Sequence, residues 1–201
     1  GFAGAGTSPV SYTHQQDASI VDAQTAAAAQ FSGGLGGIAY RLISDDGQVT
    51  IADASKFSAV DLTVRSATGF AAVSFSPARL TIEGPLASGS RTIDVGAATL
   101  TLSDAQSLGA SDLSIFADEI NILAPIASSG RLTLGPGTLA RPFLIGGSGD
   151  SGVGTLDLTA SELDQLTDGF ASLTFGRPDS TGSLGFAAPR QFRDPLVLRT
   201  G

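Results

Sequence analysis

The chain reads as an all-β protein, a parallel β-helix or β-solenoid over about residues 38–201, behind a short irregular or helical N-terminal segment at 1–37. Three observations carry this expectation. Short runs alternate apolar and polar residues, the period-two pattern of half-buried strands. Turn residues separate those runs at close intervals, and 26 of the 201 residues are Gly without a collagen period. Segments also match one another at a spacing of about 52 residues, which stacked repeat architectures explain and an antiparallel sandwich does not.

Taken in order, residues 1–37 read as a linker or end cap. GFAGAGTSPVSYTHQQ is small and polar, and the Ala-rich run at 19–31 has the propensity for a short helix that must pack on something to persist. Gly33, Gly34, Gly36 and Gly37 make a joint. Ile38, Tyr40 and Leu42 alternate and open the strand-rich part, and Asp45-Asp46-Gly47 is its first clear turn.

Three units follow, at about 45–97, 98–150 and 151–201. Val49 and Ile51 match Leu100 and Leu102, Asp61-Leu62-Thr63-Val64 matches Asp112-Leu113-Ser114-Ile115, and Arg79-Leu80-Thr81-Ile82 matches Arg131-Leu132-Thr133-Leu134. The first unit places strands near 49–51, 62–64, 73–75, 80–82 and 93–95. The third is the clearest. Leu156 and Leu158 alternate with polar neighbours, Leu163 and Leu166 mark a helical turn entered at Ser161, Asp168-Gly169 is a turn, and Leu173 and Phe175 resume the alternation. Coils of ~20 residues, each rising by the ~4.8 Å strand spacing, would stack Leu, Ile, Val and Phe inward. Leu102, Leu113, Ile115, Leu132, Leu134, Leu156, Leu158, Leu173 and Phe175 are the expected ladder residues.

Composition narrows function. Net charge is −8, the sequence pI is about 4.4, and no basic patch is present, which argues against nucleic acid and anionic membrane surfaces and suits solubility outside a cell. There is no Cys, so disulfides and thiol chemistry are excluded. No apolar run reaches the ~18 residues of a membrane span, so membrane insertion is not expected. The chain starts with Gly1 rather than Met and shows no signal peptide, which reads as a piece of a longer or processed protein.

No catalytic, cofactor-binding or metal-binding residues are assigned, and no cofactor is expected. His14, the single histidine, cannot make a zinc triad and reads as a solvated tail residue. Gly146-Gly147-Ser148-Gly149-Asp150 is similar to a calcium nonapeptide with its Asp one position early. It occurs once, whereas such sites draw ligands from successive turns, so it reads as a loop. Asp45-Asp46 and Asp179-Ser180-Thr181-Gly182 read as turns. Asp118-Glu119 and Glu162-Asp164, the nearest acidic pairs, read as solvent-facing residues rather than a glycosidase pair. Lys56, Arg65, Arg79 and Arg91 are scattered, where a polysaccharide lyase would want a base near clustered acids. Tyr12 and Tyr40 are the only tyrosines and Trp is absent, so the usual sugar platforms are lacking. An enzyme is not expected; a polysaccharide-binding or polysaccharide-degrading β-helix is one alternative class, and a surface-fibre subunit that polymerises end to end through its exposed edges is another.

The C-terminal half resembles a known pattern. Gly154-Thr155-Leu156-Asp157-Leu158-Thr159, Glu162-Leu163, Leu166, Asp168-Gly169-Phe170, Leu173-Thr174-Phe175-Gly176-Arg177 and Asp194-Pro195-Leu196-Val197-Leu198-Arg199 look like units of large filamentous-haemagglutinin-like bacterial exoproteins. The likeness covers about 98–200 well and 45–97 loosely. It implies a secreted β-helix exported across a bacterial outer membrane and used at the cell surface as an adhesin shaft or matrix fibre, in cell adhesion or biofilm. Its partners would be other repeats of the same large chain or copies of itself, with host or matrix glycans as possible ligands. The chain departs from the pattern in lacking an N-terminal secretion domain and a repeated calcium motif.

Overall fold

The structure, a computed structural model, describes residues 11–16, 20, 39–51, 57–72, 74–149 and 154–201, with backbone only at 11–12. All of its strand pairs are parallel, and they stack as a β-solenoid of about seven turns. The coil has three faces. The first carries β1 (Ser11–Gln16), β2 (Ala39–Ser44), β4 (Asp61–Ser66), β6 (Arg79–Glu83) and the second halves of β7 (Arg91–Leu102) and β9 (Leu113–Ile122). The second carries the first halves of β7 and β9, then β11 (Arg131–Gly135), β14 (Ser172–Gly176) and β16 (Leu196–Arg199). The third is made of the short strands β3 (Gln48–Ile51), β5 (Gly69–Ala72), β8 (Gln106–Ser107) and β10 (Ile126–Ala127), with bridges at Ile20, Leu86 and Leu166. The remaining elements, β12 (Phe143–Gly147), β13 (Leu156–Thr159), the helical turn α1 (Ala160–Leu163) and β15 (Leu184–Phe186), extend the first face.

Strands β7 and β9 serve two faces because both bend through a corner. The register between them shifts on either side of Gly96, whose φ of +59° lies in the region that favours glycine. Inward positions form continuous ladders. Leu62, Leu80, Leu100 and Ile120 stack on the first face, and Leu113, Leu132 and Leu173 on the second, all at most 4% exposed. All nine ladder residues expected from the alternation are buried. Phe57 fills the first coils beside Tyr40, edge to face at 6.2 Å between centroids.

Register gives the coil length directly. Leu62 stands beside Leu80, Leu80 beside Leu100, and Leu113 beside Leu132, so successive rungs are 18, 20 and 19 residues apart. The ~52-residue spacing is therefore not a coil. It carries Leu62 on the first face to Leu113 on the second, and Val49 on the third to Leu100 on the first. Inward-outward alternation is the same on every face, so segments on different faces look alike in sequence.

Two further expectations shift. The parallel stack reaches back to Ser11, because β1 pairs with β2 and Ile20 bridges to Val49. The inward positions described on β1 are His14 and Gln16, in register with Leu42 and Ser44, and that polar content hides the strand from a hydrophobicity pattern. The Ala-rich helix lies outside the described residues beyond Ile20. Near 73–75, Val73 is also outside them, and Ser74–Phe75 is not a strand. Phe75 nevertheless packs inward, and its N–H donates to the Asp94 carbonyl at 3.2 Å.

Candidate assembly surface

The acidic residues separate into those locked between coils and those paired at the surface. Asp118 follows the corner of β9 and is 5% exposed rather than solvent-facing. Its carboxylate accepts the Thr138 N–H at 2.6 Å, the Thr138 hydroxyl at 2.7 Å and the Arg141 guanidinium at 3.3 Å, fixing the loop after β11. Glu162 is also buried, where the sequence suggested solvent. It closes a capping box with Thr159, and that T-x-x-E spacing was the sequence signal that could have found it. Asp164 is exposed and takes Arg190 at 2.7 Å. Asp157, at an outward position of β13, is 3% exposed.

Surface pairs run mostly from coil to coil. Glu83 takes Arg41 at 2.9 Å and Asp61 takes Arg79 at 3.6 Å. Asp45 accepts from Gln15 and from Arg65, and these hydrogen bonds, the Gln15 one foremost, hold its carboxyl below the usual carboxylate range. Arg177 binds Asp179 at 2.8 Å and lies over the Phe116 ring, 4.6 Å from its centroid; its hydrogen bond lowers the Asp179 carboxyl likewise. Arg91 donates to the Phe70, Ser88 and Gly89 carbonyls. His14 sits half-buried on β1, its Nε2 3.3 Å from Gln16 Oε1, and is not a solvated tail residue. Lys56, Asp150 and the Tyr12 side chain lie outside the described residues. Tyr40 is fully buried and offers no sugar platform. Among the described residues no three His, Asp or Glu side chains group to hold a metal ion, and no helix is long and apolar enough to cross a membrane.

Among the described residues five large apolar side chains are exposed, Leu123, Leu139, Phe186, Leu196 and Leu198, and the last three lie together at the last coil. β15 and β16 each end a sheet, with an outer edge that has no strand partner among the described residues. Leu196 stands in register with Leu173, and Leu198 with Phe175, at inward positions. Leu173 and Phe175 are 4% and 0% exposed, while Leu196 and Leu198 are 37% and 47% exposed. On the first face Phe186 stands beside the buried Ile145 yet is 40% exposed. Phe192 fills part of the open end, its ring 5.6 Å from that of Phe175 and 6.3 Å from that of Phe186. Among the described residues, the inward positions of β1 are the polar His14 and Gln16, whereas the last coil presents an exposed apolar row.

No family model matches the chain, and neither a curated protein nor a solved structure matches it.

Proposed function

We propose that this chain is a structural, non-catalytic segment of a longer β-solenoid of the filamentous-haemagglutinin-like kind, serving in a secreted bacterial surface adhesin or extracellular filament. One observation carries the reading: Leu196 and Leu198 keep the inward ladder on a coil whose outer edge is open. An unpaired edge of this kind is a template for another strand. The occupant it fits is the next coil of the same longer chain, because such a coil supplies both a parallel ladder and an apolar inward row in register. Acids engaged by arginines, hydroxyls and backbone N–H groups suit a scaffold better than a cleft in which an acid and a base converge on substrate.

The test is incubation with a panel of bacterial and host polysaccharides. No reducing or unsaturated ends should be released. Release that disappears on changing a single Asp or Glu to Ala would identify an enzyme and overturn the proposal. A precursor that carries no further alternating strands after Gly201 would contradict the choice of occupant.

A further inference from the structure

Strand order along the first face breaks after β9. β12 pairs with β13 on one edge and with β15 on the other, Phe143 standing opposite Leu156 and Leu184. β13 in turn packs beside β9, where its end and α1 meet Ile122. The spatial order is β9, β13, β12, β15, so the later strand of the middle pair sits beneath the earlier one. On the second face β9, β11, β14 and β16 keep chain order.

Among the described residues β9 and β13 share no ladder. Side chains join them instead. Glu162 Oε2 accepts the Thr159 N–H and hydroxyl, both at 2.8 Å, and its Oε1 accepts the Ile122 N–H of β9 at 3.3 Å. At the start of β13, Arg141 donates to the Thr155 carbonyl at 3.4 Å and to Asp118 of β9 at 3.3 Å. A cleft of about 280 Å³ marks the seam, lined by Asn121 and Leu123 on one side and Ser161 and Gln165 on the other.

We infer that β12, β13 and α1 form a latch that stops the solenoid from unravelling one coil at a time. A stack whose neighbours follow in sequence can lose its end units singly, since each touches only the next. Here, peeling from the C-terminus removes β16, β15 and β14 and then meets β13 while β12 still covers it. Peeling from the N-terminus passes β9 and β11 and then meets β12 while β13 still lies beneath it. From either side a strand must leave the middle of the stack. With β15 gone, removing β13 also strips β12 of its remaining ladder partner, so the two open together.

Native-state hydrogen exchange on the whole chain tests this. The amides of β12 and β13 should exchange through one opening, with equal denaturant dependence, and more slowly than those of β16. Glu162→Ala should accelerate both strands together by about tenfold or more, since it removes acceptor bonds to a charged group, and leave β4 and β6 unchanged. β13 exchanging through its own smaller opening while β12 stays protected would overturn the latch. The wild-type measurement decides this alone if the variant does not fold.

Discussion

At the scale of single residues, burial decides what each side chain can do. Leu158 is fully buried in the inserted strand. Leu158→Asp should cost more than ~3 kcal/mol by placing an unpaired charge in the core, read as a shift in the denaturant midpoint. Asp118 makes the complementary case. Asp118→Ala should cost about 3 kcal/mol, because it strands the Arg141 charge and the Thr138 donors, with Asp118→Asn intermediate. Tyr40 supplies a pH test. Burial raises its phenol above the ordinary value of 10.0, so the folded state holds the proton more tightly than the unfolded chain. Its contribution is complete below about pH 10 and is lost as pH rises through the raised folded value. Tyr40→Phe should flatten that alkaline decline in thermal melts; an unchanged decline would assign it to other groups. The sequence told which residues point inward, since alternation reports burial. It did not tell that Asp118 and Glu162 are enclosed, because Asp118 is covered by the loop after β11 and Glu162 is buried where α1, which carries it, packs against β9.

At the scale of elements, the legible parts are those set by local chemistry. The alternation of Leu156 with Leu158, the helical turn that ends at Leu163, and the Asp168-Gly169 turn, where Gly169 has φ +126°, all follow from neighbouring residues, whereas Leu166, expected on the same helical turn, lies beyond it as a bridge to Ile126. Position on the coil does not. β12 reads FLIGG, as good a strand as any, and nothing in those residues says that β13 will slide beneath it. β1 was hidden for the opposite reason, its described inward positions being polar. The last coil depends on one close approach. Gly176 has φ +93°, and a Cβ there would lie 2.0 Å from the Arg199 carbonyl oxygen. Gly176→Ala should therefore push β16 off β14, costing about 2 kcal/mol or more and releasing the β16 amides to exchange. Unaltered protection of β16 would contradict that packing.

At the scale of the whole molecule, the described residues form a stack that ends in an exposed apolar row on its last coil and is knit along its length by arginine–carboxylate pairs between coils. The Gly146–Asp150 loop motif is single, so thermal melts with calcium and with chelator should overlay; a rise of many degrees at micromolar calcium would make Asp150 the first residue to change. The central claim is that the last coil is built to receive another. Sedimentation velocity over a concentration series tests it most directly, comparing the wild-type chain with Leu198→Glu. The wild-type end should bury its exposed leucines against other copies, giving concentration-dependent association that Leu198→Glu abolishes while the circular dichroism of the fold is kept. A wild-type chain that stays monomeric across the series would contradict the account.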